Sequence, residues 1–178
     1  GIGYPMCTRY ALSDLKAITT LVEAANLDVY VDLIGSEPRF NVALTQRVPV
    51  ITKRSKVKLE TLSFGQLLPA RRCLVPATGF SEWERLSTTR LPHYFTLPAG
   101  PAFFFAGLWE PETAINPAAF AIVTTSPNTL LGAIHDRMPV ILGPNSGAAW
   151  LGDDPLPPAR LAQLCRPFSA EKMAGHRV

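Results

Sequence analysis

The stretch that decides the fold begins at residue 80 and reads Phe80-Ser81-Glu82-Trp83-Glu84-Arg85-Leu86. This run and four later runs are rich in aromatic or β-branched residues, which favours β-strands. The four later runs are His93–Leu97, Ala102–Trp109, Ala119–Thr125 and Met138–Leu142. Because short connections with Gly, Pro and Ser separate most of them, the sequence predicts a mainly antiparallel sheet.

Three glycines within or beside these runs predict that the sheet is bent. Gly79, Gly100 and Gly107 are expected to mark bends or bulges, because glycine in a strand often serves that purpose. The segment Phe40–Ile51 alternates weakly around Pro49 and suits an edge strand. The sequence therefore predicts a curved, barrel-like core.

The predicted helices are few, short and peripheral. Ser13 can cap a helix that ends near Asn26 and places Leu15, Ile18, Leu21 and Val22 on one face. Three further segments have helix start and stop signals, namely Ser63–Leu68, Asn145–Leu151 and Pro157–Cys165. Together with the sheet, these helices predict the α+β class.

Length and composition predict one domain of an intracellular protein. The chain has 178 residues, 47% of them hydrophobic, so it can bury one substantial core. We expect a single domain over residues 6–178, with residues 1–5 as an N-terminal extension before Met6. The three cysteines are few and lack metal-like spacing, which argues against a disulfide scaffold and a zinc site.

Charge and hydropathy limit the partners. The formal net charge of +3 permits an anionic partner without requiring one. The chain has no apolar run long enough to span a bilayer. We therefore expect a cytoplasmic monomer that needs no membrane, no metal and no small-molecule cofactor.

The first polar cluster with chemical potential is Met6-Cys7-Thr8-Arg9. Removal of Met6 would leave an α-amine and a thiol on Cys7. The amine, with a pKa near ~8, can condense with an aldehyde to an imine, and the thiol can close on the imine carbon to give a thiazolidine. Alternatively, Cys7 is a small residue in an N-terminal strand.

The second cluster surrounds Glu82, which lies between Phe80 and Trp83 in a predicted strand. Desolvation of a carboxyl group disfavours its charged form, which makes it usable as a general acid or base near neutral pH. Alternatively, Glu82 points outward from the strand to solvent.

The third cluster is Ile134-His135-Asp136-Arg137-Met138, preceded by Thr124-Thr125-Ser126. His135 could act as a proton donor, and Arg137 could hold a phosphate. Alternatively, His135 is a hydrogen-bonded structural residue of a loop. His93 and His176 lack comparable neighbours in sequence and are interpreted as structural or solvent-facing.

Four segments together resemble the SRAP (SOS response-associated peptidase) family, whose members shield abasic sites. Met6–Arg9 is similar to the family's Met-Cys-Gly-Arg start, and Arg39–Gln46 is similar to its Tyr-Asn-Ile-Ala-Pro-Thr-Gln segment. Arg72–Trp83 resembles Arg-Cys-Leu-Ile-Pro-Ala-Asp-Gly-Phe-Tyr-Glu-Trp. Thr124–Leu142 resembles the stretch that ends in His-Asp-Arg-Met-Pro-Val-Ile-Leu.

The resemblance implies the SRAP fold and a covalent crosslink to an abasic site in single-stranded DNA. By matching motif, Cys7 supplies amine and thiol, Glu82 shuttles protons, and His135 assists opening of the deoxyribose ring and reversal of the link. A lyase side activity is implied as well, because an imine at the sugar carbon permits β-elimination. DNA bound in this way would place the protein at the nucleoid.

The resemblance also implies contacts to the DNA backbone that read no sequence. The residues expected to make them are Arg9, Asn41, Arg54, Thr124 and Arg137. The family's Trp-Gly-Leu-Ile-Pro tract and Asn-Ala-Arg motif have no match between Ile51 and Lys58. The five residues before Met6 are expected to block the α-amine and so prevent thiazolidine formation by this form of the chain.

Two other functions remain open from the sequence. Cys7 could act as a thiol autopeptidase that cleaves the peptide bond before it. Alternatively, the chain could be a non-catalytic module that binds single-stranded nucleic acid, with Trp83 or Trp109 stacking on a base. Substitution of Cys7 by Ala would abolish a crosslink and leave such a binder unchanged.

Overall fold

The structure is a computed structural model, and it describes residues 9–27, 37–43, 46, 48–52, 71–86, 89–115, 117–152 and 155–178. The predicted helix Ser63–Leu68 lies outside these residues. The strands are β1 Arg9–Leu12, β2 Arg39–Ala43, β3 Ile51–Thr52, β4 Arg72–Ala77, β5 Gly79–Arg85, β6 Arg90–Thr96, β7 Phe103–Glu110, β8 Ala119–Ile122, β9 Thr124–Thr125, β10 Met138–Pro139, β11 Ile141–Leu142 and β12 Ala174–Arg177. The helices are α1 Leu15–Ala24, α2 Pro144–Leu151 and α3 Pro158–Leu164, with 3-10 turns at Leu131–Ala133 and Ala170–Lys172.

Two five-stranded sheets form the centre of the molecule, and every described strand pair is antiparallel. The first sheet has the order β12-β6-β5-β1-β2. The second has the order β11-β7-β4-β3, with β8 also paired to β7, and β9 and β10 form a separate pair. The predicted α+β class with a mainly antiparallel sheet is confirmed. Within the described ranges neither sheet closes on itself, so the core predicted as barrel-like is not a closed barrel.

The two sheets pack face to face through an aromatic core. Phe80 and Phe95 from the first sheet stack with their ring centroids 5.2 Å apart. Phe105 of the second sheet meets Phe80 edge-on at 5.7 Å and Tyr10 at 6.0 Å. Such offset and edge-to-face pairs add to the stabilisation that burial of these rings provides.

The second sheet is buried on both faces, because helices cover the side that faces away from the first sheet. Phe103 and Phe105 point toward the first sheet, whereas Phe104 packs with Leu21 of α1 and Trp150 of α2. This double burial explains why β4 and β7 are continuous apolar runs and not alternating ones.

Buried polar contacts fix α2 against β4. Arg72 donates from Nε to the carbonyl oxygen of Trp150 and from Nη2 to that of Gly152 at 3.1 Å. In return, Trp150 Nε1 donates to the carbonyl oxygen of Cys73 at 3.0 Å. A guanidinium at the C-terminal end of a helix satisfies carbonyls that have no partner within the helix.

The first helix begins one residue later than the cap predicted from sequence. Asp14, and not Ser13, is the N-cap, since its carboxylate accepts from Ala17 N at 2.9 Å. The Ser13 hydroxyl instead lies 2.8 Å from the Thr78 hydroxyl. The predicted stop is confirmed, because Asn26 has a φ of 46°, a left-handed conformation that ends helices.

Candidate active site

The candidate site is centred on Glu82 in the middle of β5. Its carboxyl-bearing side chain is only 3% exposed, although both of its neighbours along the strand, Ser81 and Trp83, are half-buried. Residues two apart in a strand share a face, so Glu82 lies on the same face as the core residue Phe80. The alternative that Glu82 points outward to solvent is therefore wrong.

A close approach between β5 and β6 requires glycine at the start of β5. A Cβ atom at Gly79 would lie 2.2 Å from the Tyr94 hydroxyl oxygen. Gly79 thus allows the Tyr94 side chain to approach β5 closely, on the face opposite Glu82.

The residue directly across from Glu82 is His93 of β6. His93 Nε2 lies 3.1 Å from Glu84 Oε2, and Glu84 is two positions beyond Glu82 on the same strand. His93 therefore has an acidic neighbour, which the interpretation from sequence missed. Strand register places these residues together, and no local sequence signal predicts that register.

Arg9 lies beside this part of β5. It is the first residue of β1, it is half-buried, and its cross-strand partner is Ser81. Cys7 and Arg54 lie outside the described residues. Arg9 is therefore the predicted site residue nearest in sequence to Cys7 whose position can be described.

Asn41 lies on the neighbouring strand β2, where it is exposed. The pairing of β1 with β2 is irregular here, because the register shifts between Tyr10 and Leu12. Asn41 is thus on an edge strand in the described part of the first sheet, accessible to a ligand.

A second group of predicted site residues is brought together by the β9–β10 pair. Arg137 Nη2 donates to Thr124 Oγ1 and to the Thr124 carbonyl oxygen, each at 2.8 Å. The Arg137 side chain nevertheless remains exposed. The structure therefore presents an ordered cation at the surface.

His135 lies two residues before Arg137, just beyond the 3-10 turn Leu131–Ala133. Its Nδ1 lies 3.1 Å from the Arg137 backbone nitrogen and 3.0 Å from Asp136 Oδ1. The first contact uses Nδ1 as an acceptor and the second uses it as a donor, so one state of the ring cannot make both.

Asn128 holds the segment that leads to His135. Its Oδ1 accepts from the backbone nitrogens of Leu130 and Leu131 at 3.1 and 2.9 Å, and its Nδ2 donates to the Phe168 carbonyl oxygen at 2.7 Å. The interpretation from sequence missed Asn128, although an asparagine before an apolar run is a recognised turn signal.

The strands that carry Arg9 and Glu82 and the segment around His135 pack against the same hydrophobic core. Tyr10 and Phe80 come from the strands that carry Arg9 and Glu82. Leu131 and Met138 come from the segments on either side of His135. The core therefore joins the Glu82 group and the His135 group, which belong to different sheets.

The other cysteines do not suit nucleophilic chemistry. Burial raises the pKa of Cys73 to about 12, and partial burial raises the pKa of Cys165. A thiol with a raised pKa has little thiolate near neutral pH. Among the residues described, no group of three or more His, Cys, Asp or Glu side chains is placed to hold a metal ion. In the same ranges, no helix has the length and apolarity needed to cross a membrane.

Comparisons with known proteins agree on one family. The family model described as SOS response associated peptidase (SRAP) matches residues 54–178. The abasic site processing protein YoqW of Bacillus subtilis (strain 168) is 30% identical over 210 aligned positions, which cover 97% of this chain and 92% of that protein. This alignment is longer than the chain, so YoqW holds residues that have no counterpart here.

Two further matches agree with this one. The abasic site processing protein YoaM of Bacillus subtilis (strain 168) is 28% identical over 208 positions, covering 97% of this chain and 91% of that protein. A crystal structure of a protein from Bacteroides thetaiotaomicron has a TM-score of 0.76 at 25% identity, and the match covers 97% of this chain and 92% of that one.

Proposed function

The chain belongs to the SOS response associated peptidase (SRAP) family, and from this premise we propose that it processes abasic sites in single-stranded DNA by a covalent bond from Cys7. The reactive form carries Cys7 as its first residue, with a free α-amine beside the thiol. The product is a thiazolidine that links the protein to the sugar and shields the lesion. The names of the two Bacillus relatives support abasic sites as the target.

The observation that carries the proposal is a buried acid beside the strand that follows Cys7. Glu82 is 3% exposed and lies next to Ser81, which pairs with Arg9 of β1. Arg9 follows Cys7 by two positions in the sequence. A carboxyl group shielded from water can pass a proton to or from a reacting carbonyl.

The proposed reaction conserves every atom. His135 donates a proton to the sugar ring oxygen as the ring opens, and the C1 hydroxyl loses its proton to water, which leaves an aldehyde. The Cys7 amine adds to the aldehyde carbon. Glu82 then protonates the hydroxyl of this adduct, which leaves as water, and the Glu82 carboxylate takes up the proton from the adduct's nitrogen, which gives the neutral imine. Finally, the thiol adds to the imine carbon and its proton moves to the nitrogen.

Lyase and autopeptidase activities are secondary parts of the proposal. The imine permits loss of the 3′ phosphate by β-elimination, and ring closure by the thiol suppresses that route. Release of the residues before Cys7 by its own thiol would give the autopeptidase activity. Mass spectrometry of the N-terminus, in wild-type protein and in Cys7→Ala, tests that cleavage.

DNA binding is proposed to use cations that touch phosphates. Arg137, held by Thr124, is one of these cations, Arg9 and Arg54 are the others, and Asn41 and Thr124 add neutral polar contacts. Such contacts carry no sequence information, which suits a protein that responds to a lesion.

The decisive experiment uses protein whose first residue is Cys7, mixed with single-stranded DNA that contains one abasic site. We expect a band on a denaturing gel that resists heat and detergent. Cys7→Ala should give no such band, and Glu82→Gln should give it slowly. Cys165→Ala is the matched control, because it removes a half-buried thiol away from the site. Absence of the band with folded wild-type protein that binds the DNA would disprove the proposal.

A non-catalytic single-strand binder is the second candidate, and the ordered, exposed Arg137 favours it. Under that function Cys7→Ala binds DNA as wild type does, and no denaturant-resistant product forms with either protein. Salt-sensitive binding alone, without the resistant band, would support this candidate.

A further inference from the structure

A surface cavity of about 450 Å³ lies between the first turn of α2, helix α3 and the segment that follows α3. Its volume falls in the range of ~300–1,000 Å³ that small-molecule sites occupy. Glu82, His135 and Arg137 do not line it, so the cavity is separate from the candidate active site. The proposed reaction on abasic DNA makes no use of it.

The charges that line the cavity are all positive. Arg160, Arg166 and Lys172 line it, and none of its described lining residues is acidic. Arg160 Nη1 donates to Gln163 Oε1 at 2.7 Å. In the described ranges, neither Arg166 nor Lys172 forms an ion pair. Because like charges repel one another, an anion bound among these three side chains would be stabilised.

Neutral groups at the same cavity can add hydrogen bonds to that anion. Asn145 and Ser146 line it from the first turn of α2, and Ser169 lines it from the segment after α3. The N-cap of α2 is Gly143, which has no side chain that could accept from the amides of this turn. These donors supplement the cations, which supply most of the attraction.

The walls of the cavity are held in place by hydrogen bonds. Asn128 Nδ2 donates to the Phe168 carbonyl oxygen at 2.7 Å, which fixes the segment after α3. Gly143 N donates to Ser146 Oγ at 2.9 Å, which fixes the first turn of α2. Walls that are ordered before a ligand arrives reduce the entropic cost of binding it.

We infer that this cavity binds a small phosphate monoester that carries a flat apolar group, such as a mononucleotide. A phosphate monoester has a charge of about −1.5 to −2 near pH 7, which suits several cations better than a single carboxylate does. The guanidinium of Arg166 can bind two phosphate oxygens at once. The buried Leu142 and Leu164 and the half-buried ring of Phe168 offer apolar contact to the flat group.

The size of the cavity favours a free small molecule over a strand of DNA. Sites that track single-stranded nucleic acid extend over roughly 4–16 nucleotides. A cavity of about 450 Å³ is too small to hold several nucleotides. The ligand is therefore a single molecule, bound independently of the DNA that Cys7 is proposed to attack.

The test is isothermal titration of the full chain with deoxyadenosine monophosphate and, separately, with inorganic phosphate, in a buffer free of phosphate. We expect saturable binding of both, with the nucleotide bound more tightly because it also contacts the apolar wall. The double variant Arg166→Gln, Lys172→Gln should bind the nucleotide about tenfold more weakly or worse, since it loses two charge-assisted contacts. Both side chains are exposed, so the variant should fold as wild type does.

The matched control is the double variant Lys16→Gln, Arg177→Gln, which removes two positive charges from exposed residues that do not line the cavity. Urea unfolding confirms that all three proteins are folded. No saturable binding of the nucleotide, or an equal loss in both double variants, would overturn the inference. Equal affinity for nucleotide and inorganic phosphate would overturn the part assigned to the apolar wall.

A competition experiment separates the small molecule from DNA. A single-stranded oligonucleotide without terminal phosphates should not displace the bound nucleotide, and displacement by it would overturn the inference in favour of a DNA-binding groove. None of these measurements involves Cys7. Failure of the cavity to bind a nucleotide therefore leaves the proposed function intact, and failure of the crosslink leaves this inference intact.

Discussion

Arg137 binds Thr124 across the β9–β10 pair through two hydrogen bonds from one guanidinium nitrogen. Nη2 donates to the Thr124 hydroxyl and carbonyl oxygens at 2.8 Å each, and Nε lies 3.2 Å from the hydroxyl. A long cationic side chain usually loses rotamer freedom when it binds a phosphate. Here much of that entropic cost is met before a ligand arrives.

The charge of Arg137 and the contact that holds its side chain come from different residues. Their effects on DNA binding can therefore be measured separately. Arg137→Ala should weaken binding to single-stranded DNA and lower the slope of log affinity against log salt concentration by about 0.7, as loss of one phosphate contact does. Thr124→Val keeps the cation but removes one anchor, so it should weaken binding a few-fold without changing the slope. Fluorescence anisotropy across a salt series measures both quantities.

The control for Arg137→Ala is Arg160→Ala, which removes the same charge from an exposed residue of α3. An equal change of slope in both variants would show that net charge, and not the anchored guanidinium, accounts for the effect.

We expect the stability of the segment that leads to His135 to depend on the side-chain amide of Asn128. Asn128→Ala removes both the oxygen and the nitrogen of the side-chain amide. It should lower the free energy of unfolding by about 2–3 kcal/mol, since several partly buried groups lose their hydrogen-bond partners. Asn128→Asp keeps the oxygen that accepts from Leu130 and Leu131 but places a carboxylate against the Phe168 carbonyl oxygen. It should therefore destabilise the protein through the C-terminal contact alone.

Hydrogen exchange distinguishes these two variants. In Asn128→Asp, the amides of Leu130 and Leu131 should stay protected, whereas in Asn128→Ala they should exchange faster. Equal exchange in both variants would contradict the assignment of the oxygen to the turn.

Most of the sheet could be predicted because its strands have a strong local composition. The run Ala102–Trp109 has four aromatic residues and became β7, and Phe80–Leu86 became β5. The Pro157–Cys165 helix was predicted within one residue at each end. Strand β4 was not predicted as such, because Pro76 interrupts its pattern and Arg72 is a charged residue in a buried strand.

Longer-range features could not be predicted from sequence. Gly107 was expected to mark a bend, yet it lies within β7 because the Cys73 side chain packs over it. Glu82 is buried, as its interpretation as a desolvated carboxyl group expected, but that burial depends on the packing of two sheets. The meeting of His93 with Glu84 depends on strand register, which no single strand encodes.

We expect the folded protein to lose stability at alkaline pH because of the buried Cys73 thiol. Burial raises its pKa from 9.0 to about 12, so the folded state holds the thiol proton more tightly than the unfolded state does. The resulting stabilisation is fully present below pH 9 and is lost as the pH rises toward 12, by at most ~1.4 kcal/mol per pH unit. Urea unfolding of wild type and Cys73→Ala should therefore give a stability difference that shrinks above pH 9.

Other groups that titrate in this range, such as Tyr94, cancel when the two proteins are compared. Cys165→Ala serves as the control, because its half-buried thiol should show a smaller change. A stability difference between wild type and Cys73→Ala that stays constant from pH 8 to about 11 would contradict the prediction.

Gly107 and Cys73 should be energetically coupled. A Cβ atom at position 107 would lie 2.7 Å from the Cys73 sulfur, 3.3 Å from Val75 Cγ2 and 3.4 Å from the Ala121 carbonyl oxygen. Gly107→Ala alone should therefore cost roughly 1–3 kcal/mol of unfolding free energy through overpacking. Cys73→Ala alone should also destabilise the protein, because it leaves a cavity in the core.

In the double variant the new methyl group occupies space that the sulfur has left, so the combined cost should be smaller than the sum by about 1 kcal/mol or more. Recovery should be incomplete, since Val75 and the Ala121 carbonyl remain close. Urea unfolding of the four proteins measures this coupling, and additive costs would show that the sulfur is not what excludes a side chain at position 107.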